Sequence, residues 1–302
     1  MSAIKIDCRR IAETYLDWVR TQVVRLKKPP CIATVLNREK ADPGSLQYRK
    51  FIRKDAEKVG VRTRDIEENS EPAILGAIRR LNADPEVQGI VVLYPLGLGR
   101  RDDEIMDLVS PDKDIEGLHS INLGYLIKFR RHLDEKKGIK CVVPATAKAV
   151  VKALQCYPQI PIGGSLVTIV NNSMRVGKPL GLMLENLGAT VVKCYDRTRK
   201  DDLEACVRRS DIVVSAVPDA AFKLNPAWIK KGAAVIDVSY QGNIDVSALE
   251  GCAALLSAPD NRIGRMTRAM MFVNLVYCAH SGGSEISVVL PETILGEGMR
   301  SA

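Results

Sequence analysis

One segment in the second half of the chain constrains the fold more than any other. A β-branched run at 166–170 predicts a buried strand, and the polar turn 171–179 follows it. The apolar segment 180–187 then has helical character, and 189–194 predicts a second strand that leads to Asp196. This order is typical of a dinucleotide-binding unit, in which the first amides of the helix bind a pyrophosphate and the carboxylate binds a ribose.

The turn of this unit lacks most of the usual glycine fingerprint. A G-x-G-x-x-G loop needs three glycines, but Gly177 is the only glycine between residues 171 and 179. The pattern alone therefore leaves two alternatives open, a nucleotide-binding unit and an ordinary βαβ unit without a nucleotide.

Strand and helix signals alternate along both halves of the chain, which predicts parallel sheets covered by helices. Predicted strands lie at 31–36, 89–95, 166–170, 189–194, 212–216 and 234–239. Predicted helices lie at 4–26, 45–59 (ended by Gly60), 73–81, 144–155, 180–187 and 266–279. We therefore predict an α/β fold with two α/β domains, the second built on a Rossmann-like parallel sheet, and a cleft between them.

The composition of the 302-residue chain disfavours several classes of function. The net charge of +8 is diffuse and aromatic residues make up only 5%, so we expect no nucleic acid partner. A basic surface would suit an anionic small molecule. The eight cysteines are scattered and form no zinc-type cluster in the sequence, which favours buried thiols in a cytoplasmic protein over a disulfide framework. No apolar run has transmembrane length and the first residues lack a signal-peptide core, so we expect no membrane partner.

The turn at 171–179, N-N-S-M-R-V-G-K-P, resembles the G-R-S-x-x-V-G-x-P loop of the methylenetetrahydrofolate dehydrogenase/cyclohydrolase family. The matching residues are Ser173, Val176, Gly177 and Pro179. Asn171 and Asn172 stand where the family has Gly and Arg. Segments 45–60, 81–95 and 111–124 are similar to further family motifs in the same order along the chain.

The resemblance implies a division of labour between two domains. Residues 1–147 would form a folate-binding catalytic domain that a C-terminal helix, 265–302, completes. Residues 148–264 would form an NAD-binding Rossmann-like domain. The family's habit of dimerising through the nucleotide domain suggests a homodimer.

The resemblance also implies a folate site. The implied substrate-binding residues are Ser45, Tyr48, Asp114, Glu116, Gly264 and Thr267. Tyr48 would border the pterin ring and Glu116 would contact it, so these two are the implied catalytic residues. From the residues alone, Tyr48 could equally be a core tyrosine, and Asp114 with Glu116 could form a turn cap or a solvated pair. Ser45 fits the first turn of a helix better than a nucleophile.

The implied cofactor is NAD rather than NADP. In the family, the Arg of G-R-S and a Ser after the second strand hold the 2′-phosphate of NADP. Asn172 and Asp196 occupy these positions here, so a cation is lost and an anion is gained. Arg175 and Arg197 are nearby cations that could still reach a phosphate. The implied cofactor-binding residues are Asn172, Ser173, Arg175, Val176, Gly177, Asp196 and Arg197.

Two further departures concern the second activity of the family, hydrolysis of the methenyl bridge. The family's catalytic lysine falls on Ile52 and its assisting glutamine on Leu93. Neither side chain can transfer a proton. The chain therefore resembles the monofunctional, NAD-dependent branch, which lacks this lysine and carries Glu at the position of Glu116. We predict NAD-dependent oxidation of 5,10-methylenetetrahydrofolate to the methenyl form, with weak or absent cyclohydrolase activity.

Two alternatives stay open at this stage. A bifunctional, NADP-dependent enzyme could use a displaced lysine, Lys50 or Lys54. A non-catalytic folate- or nucleotide-binding homologue is the second, because the family's P-V-P-G-G-V-G-P-M-T loop is rewritten at 258–267. Of that loop only Gly264, Met266 and Thr267 clearly match, while Asp260, Arg262 and Arg265 add charge.

Overall fold

A computed structural model of the chain describes residues 2–258 and 262–280. The described residues divide into two compact units. The six-stranded unit combines 2–13 with 146–267, and the three-stranded unit combines Thr14–Ala145 with 268–280. The boundary between the units falls within the last described helix, after Thr267.

The strands, in chain order, are β1 Ile4–Ile6, β2 Cys31–Asn37, β3 Arg62–Glu68, β4 Gly89–Val92, β5 His132–Asp134, β6 Ile139–Lys140, β7 Leu166–Val170, β8 Thr190–Cys194, β9 Ile212–Ser215, β10 Ala234–Asp237 and β11 Leu255–Ser257. The helices are α1 Cys8–Arg25, α2 Pro43–Val59, α3 Glu71–Ala83, α4 Asp102–Met106, α5 Ser120–Ile127, α6 Ala145–Gln155, α7 Gly177–Glu185, α8 Lys200–Arg209, α9 Val246–Leu249 and α10 Gly264–Ala279. A 3-10 turn covers Pro226–Trp228. No helix in the described part of the chain combines the length and apolar character needed to cross a membrane.

The six-stranded unit is built on a parallel sheet in the order β1-β11-β10-β9-β7-β8. The chain starts the sheet's second half at β7, adds β8 on one side and then continues with β9 on the other. This reversal makes the carboxyl ends of β7 and β9 a topological switch point, the position where open α/β sheets bind their ligands. The predicted α/β class and the Rossmann-like parallel sheet are thereby confirmed.

The three-stranded unit has a parallel sheet in the order β3-β2-β4. All seven positions of β2 are buried, as a parallel strand covered on both faces requires. Helix α2 begins after the N-cap Asp42, whose carboxylate accepts a hydrogen bond from the Ser45 amide at 2.6 Å. It ends at Gly60, which adopts the left-handed conformation with a φ of 76°. The predicted end of this helix is confirmed.

Two sequence predictions of secondary structure are wrong in part. Residues 4–6 were expected to open a helix that extends to 26, but they form β1, which pairs with β11. Helix α1 starts only at Cys8. The predicted strand 234–239 ends at Asp237, because the Asp237 carboxylate accepts hydrogen bonds from the Ser239 amide at 2.9 Å and the Asn243 amide at 2.6 Å. These bonds turn the chain out of the sheet.

Strand β3 was not predicted, since its sequence, R-T-R-D-I-E-E, has no apolar alternation. Its carboxylates pair with cations of α2 instead. Arg49 Nη2 lies 2.7 Å from Glu67 Oε1, and Arg53 pairs with Asp65. The Arg49 hydrogen bond is the main reason that the pKa of Glu67 is lowered. The edge strand is therefore attached to the helix by charge as well as to β2 by its backbone.

A partly buried ion pair connects α2 with α10 inside the three-stranded unit. Arg268 Nε lies 2.6 Å from Asp55 Oδ2, and the two side chains are only 12% and 16% exposed. The Arg268 guanidinium also lies over the Phe51 ring, 4.7 Å from its centroid. Residues 51 and 55 are four apart and therefore neighbours on one helix face.

We expect Arg268→Met to reduce the free energy of unfolding by roughly 3 kcal/mol, because it leaves the Asp55 carboxylate shielded from water without its partner. The double variant Asp55→Leu, Arg268→Met should recover much of this loss, since it removes both charges. Lys137→Met, which breaks an exposed pair with Asp134, is the control and should change little. Urea unfolding followed by circular dichroism measures all three. Equal losses for Arg268→Met and Lys137→Met would contradict the assignment.

Candidate active site

The loop that follows β7 lies at the switch point and is organised by one side chain. Asn171 Nδ2 donates a hydrogen bond to the carbonyl oxygen of Ala216, the residue after β9, at 2.7 Å. Asn171 Oδ1 accepts from the amides of Ser173 at 2.8 Å and Gly177 at 2.9 Å. It also accepts from the Ser173 hydroxyl at 2.7 Å. Sequence reasoning noted Asn171 only as a substitution and did not foresee this role.

Gly177 closes the same loop with no room to spare. A Cβ at this position would lie 2.1 Å from the Asn171 carbonyl oxygen, a distance that any side chain would violate. Its amide is the first of α7, and the Val176 amide before it bonds to Ser173 Oγ at 3.1 Å. A glycine that lets the backbone turn tightly into a helix at a switch point fits a dinucleotide-binding loop.

The residues that would distinguish NAD from NADP are exposed. Asn172 and Ser173 lie on the surface of the loop, and Arg175 and Val176 are partly buried. Asp196 follows the end of β8 by two residues, with a side chain that is 84% exposed. Arg197 Nε lies 3.8 Å from Asp196 Oδ2, a weak surface pair that leaves the carboxylate accessible.

A small pocket of about 40 Å³ lies beside the carboxyl end of β10, in the same unit. Asp237, Ser239, Ser257 and Arg262 are among its lining residues. The Arg262 guanidinium donates to the Tyr240 carbonyl oxygen and lies over the Tyr240 ring. The sequence offered one signal for this pocket, a carboxylate at the end of a buried apolar run. The predicted extra charge of Asp260 lies outside the described residues.

On the three-stranded unit, the first turns of α2 carry two of the predicted folate residues. Ser45 is buried, and its hydroxyl donates to the Asp42 carbonyl oxygen at 2.9 Å. It is thus a residue of the first helical turn, as the alternative interpretation proposed. Tyr48 is partly buried and makes further contacts. Substrate contact by either residue stays a prediction.

The two positions of the family's hydrolytic pair are sealed in the interior. Ile52 has 0% exposed surface and Leu93 has 4%. Lys50 and Lys54, the candidate displaced lysines, are both exposed. Each is two residues from Ile52 and therefore about 200° around the helix from it. Neither lysine can occupy the position that a lysine at residue 52 would take without a change in the helix.

A buried carboxylate shapes the loop that carries Glu116. Asp114 is 4% exposed, and its Oδ1 accepts from the Gly117 amide at 2.9 Å. Its Oδ2 accepts from the His119 amide at 2.8 Å and from Asn122 Nδ2 at 3.0 Å. Burial raises the pKa of this carboxyl, and the three hydrogen bonds oppose that rise. Both oxygens accept hydrogen bonds within the loop, so Asp114 supports the loop conformation. Its contact with the substrate stays a prediction.

Glu116 is held from both sides of the same loop. Gly117, with a φ of 74°, passes so close to the next segment that a Cβ would lie 2.4 Å from the Val143 carbonyl carbon. Asn274 of α10 is fully buried, and its Nδ2 donates to the carbonyl oxygens of Ile115 at 2.9 Å and Val143 at 3.0 Å. The Glu116 carbonyl oxygen accepts from the Ala145 amide at 3.0 Å. These contacts fix the backbone on both sides of Glu116, whose side chain is partly buried and makes further contacts.

The last predicted substrate residues begin α10. Gly264 is its first residue and is exposed, and Thr267 is partly buried. The Thr267 amide donates to the Ile263 carbonyl oxygen at 2.9 Å, which is an ordinary bond of the first helical turn. The predicted helix 266–279 is confirmed, and the continuation predicted to 302 lies outside the described residues after 280.

Comparison with known proteins identifies the family. Residues 6–116 match the catalytic domain of tetrahydrofolate dehydrogenase/cyclohydrolase, and residues 144–282 match the NAD(P)-binding domain of the same family. The bifunctional protein FolD of Methanoculleus marisnigri is 32% identical over 280 residues, which cover 89% of this chain and 94% of the relative.

Two solved structures with the same two-domain architecture are similar as well. The NAD-dependent 5,10-methylenetetrahydrofolate dehydrogenase of Saccharomyces cerevisiae has a TM-score of 0.84 at 25% identity, covering 92% of this chain and 97% of its own. The N5,N10-methylenetetrahydrofolate dehydrogenase-cyclohydrolase of Trypanosoma brucei, crystallised with NADP and an inhibitor, has a TM-score of 0.83 at 27% identity, covering 92% and 98%. The chain therefore belongs to the methylenetetrahydrofolate dehydrogenase/cyclohydrolase family and is an enzyme with an NAD(P)-binding domain.

Proposed function

We propose that this enzyme oxidises 5,10-methylenetetrahydrofolate to the 5,10-methenyl form with NAD, and that it has little or no cyclohydrolase activity. The observation that carries the proposal is the burial of two apolar side chains, Ile52 and Leu93, at the positions of the family's hydrolytic pair. Hydrolysis needs a group that activates water and transfers protons. Hydride transfer mainly requires that the nicotinamide and pterin rings are held in the correct relative position and that water is excluded.

The charges at residues 172 and 196 favour NAD over NADP. A 2′-phosphate is dianionic, and an enzyme that binds it normally supplies an arginine. Asn172 offers no charge, and the largely exposed Asp196 would repel the phosphate while accepting hydrogen bonds from a ribose diol. Arg197 partly offsets Asp196, but at 3.8 Å in an exposed pair the offset is small.

The proposed role of each residue is carried over from the family motif that it matches. NAD, when bound, supplies the hydride acceptor. Ser173, Arg175, Val176 and Gly177 would hold its pyrophosphate, with Asn172, Asp196 and Arg197 beside the adenosine ribose. Tyr48 would border the pterin, Glu116 would accept a hydrogen bond from a pterin amino group, and Gly264 with Thr267 would complete the substrate site. Asp114 would act through the Glu116 loop. A homodimer stays a prediction from the resemblance, and a cytoplasmic location stays a prediction from the scattered cysteines.

The second candidate is a bifunctional enzyme that uses NADP. It is favoured by the bifunctional relative from Methanoculleus marisnigri and by the NADP complex of the Trypanosoma brucei enzyme. It requires a lysine that reaches the position of Ile52, and the exposed Lys50 and Lys54 are the candidates. The tests below separate it from the first proposal.

We expect NAD to have the higher kcat/KM of the two cofactors in a spectrophotometric dehydrogenase assay. The double variant Asn172→Arg, Asp196→Ser should shift the ratio toward NADP by about 10- to 100-fold, the size of one or two charge-assisted hydrogen bonds. Asp201→Ser, which removes an exposed carboxylate from α8 nearby in sequence, is the control and should leave the ratio unchanged. A clear NADP preference of the unmodified enzyme would refute the cofactor assignment.

Cyclohydrolase activity should be close to the spontaneous rate, because neither Ile52 nor Leu93 can transfer a proton. Decay of purified methenyltetrahydrofolate, with and without enzyme, measures it. Lys50→Ala and Lys54→Ala should make no difference. A strong enzymatic rate that Lys54→Ala abolishes, and that the exposed-lysine control Lys58→Ala retains, would establish the bifunctional alternative.

Tyr48→Ala should raise the folate KM or remove turnover while leaving the Kd for NAD nearly unchanged, since Tyr48 belongs to the folate site of the three-stranded unit. Tyr48→Phe, which keeps the ring, should retain most binding. Truncation of a core aromatic costs about 3–5 kcal/mol, less for this partly buried ring, so the melting temperature is measured first. Calorimetry with NAD and folate separately then tests the role. Binding of NAD but not of folate by the unmodified enzyme would favour the non-catalytic homologue.

A further inference from the structure

We propose that Asn171 is a positioning residue that fixes the cofactor loop 171–177 in its binding conformation before NAD arrives. The inference rests on the proposed function, because it assigns this loop to NAD. It concerns a residue that replaces the family's glycine, so the contacts described next are additions that a glycine cannot make.

The side-chain nitrogen of Asn171, Nδ2, connects the two strand ends at the switch point. Nδ2 donates to the carbonyl oxygen of Ala216 at 2.7 Å. Asn171 follows β7 and Ala216 follows β9, the two strands at which the order of the sheet reverses. The backbone bond at this point, from the Ala216 amide to the Val170 carbonyl oxygen, is longer at 3.3 Å. The side chain therefore reinforces the contact at the edge where the ligand crevice opens.

The side-chain oxygen of Asn171, Oδ1, binds residues at both ends of the loop. Oδ1 accepts from the Ser173 amide, the Ser173 hydroxyl and the Gly177 amide, at 2.8, 2.7 and 2.9 Å. The Ser173 hydroxyl accepts in turn from the Val176 amide at 3.1 Å, and the Ser173 carbonyl oxygen accepts from the Lys178 amide at 3.0 Å. One side chain thus fixes two residues of the proposed cofactor site and, through Ser173, the turn between them.

The asparagine at residue 171 offsets the loss of the family's arginine at residue 172. Asn172 replaces the family's arginine, so residue 172 no longer offers a charged contact to a dinucleotide. A loop that is ordered in advance pays less conformational entropy on binding, which raises affinity without any new contact to the ligand. Asn171 supplies that order, and Asn172 and Asp196 direct the site toward the cofactor without a 2′-phosphate.

The test compares Asn171→Gly and Asn171→Asp with the unmodified enzyme. Isothermal titration calorimetry gives the Kd for NAD, steady-state kinetics gives kcat and both KM values, and a thermal melt gives stability. Asn171→Gly restores the family residue and removes all four side-chain bonds. Asn171→Asp keeps an acceptor for the loop amides but places a carboxylate oxygen against the Ala216 carbonyl oxygen. Asn186→Gly, at the exposed C-cap of α7, is the control for an added glycine.

We expect both Asn171 variants to raise the Kd and KM for NAD by about 10- to 100-fold, while kcat and the folate KM stay within about threefold. Asn186→Gly should leave the Kd for NAD unchanged.

An unchanged or lower Kd for Asn171→Gly would overturn the inference. So would a parallel loss of NAD binding, folate binding and melting temperature in both variants, which indicates a general structural role. If Asn171→Gly does not fold, the isosteric Asn171→Asp decides by the same criteria. Failure of the unmodified enzyme to bind NAD would instead overturn the proposed function, and the inference with it.

Discussion

The parallel pairing of β7 with both β8 and β9 is the constraint on which the cofactor half of this enzyme depends. Parallel strands need crossovers, so the carboxyl ends of the strands lie along one edge of the sheet. Three polar side chains of the six-stranded unit, described next, lie along that edge. Asn171 follows β7, and Asn243, fully buried, accepts from Ser215 Oγ at 2.9 Å at the end of β9. Asp237 ends β10 and turns the next loop. The backbone groups that the strands no longer pair are thus satisfied by side chains, which leaves the loops defined in shape before any ligand binds.

In the three-stranded unit a loop is also held by side-chain hydrogen bonds, here to the carboxylate of Asp114. Asp114 is an acid buried at a cost, since burial raises its pKa, and the three hydrogen bonds that it accepts repay part of that cost. Asn274 reaches the same loop from α10 with two donors. In both units, then, the side chain of an amide or an acid fixes a loop that carries a proposed ligand-binding residue. Asn171 stands beside Asn172 in this way, and Asp114 stands two residues before Glu116.

The sequence predicted the elements whose own residues decide their structure. The β-branched runs of β7 and β9 and the apolar stripe of α2 with its terminal Gly60 could be located without the fold. Strand β1 could not, because its partner β11 lies some 250 residues away and only that pairing makes residues 4–6 extended. Strand β3 depends on the cations of α2 in a similar way. At the candidate site, the matching motif located the loop. The bond from Asn171 to Ala216 and the bonds from Asn274 to the Glu116 loop could not be located, because these partners are distant in sequence.

The departures from the family fall into a chemically consistent set, which supports the proposed dehydrogenase without hydrolysis over the non-catalytic homologue. A chain that drifts without selection would fill the interior at residue 52 with polar groups as readily as with apolar ones, at a cost in stability. Ile52 and Leu93 are instead well-buried core residues. Likewise, the loop that lost an arginine at residue 172 gained a side chain at residue 171 that makes four hydrogen bonds within the cofactor edge. Proton-transfer groups are gone, whereas groups that hold backbone in place are kept or added. Hydride transfer depends on the second kind of group and not on the first.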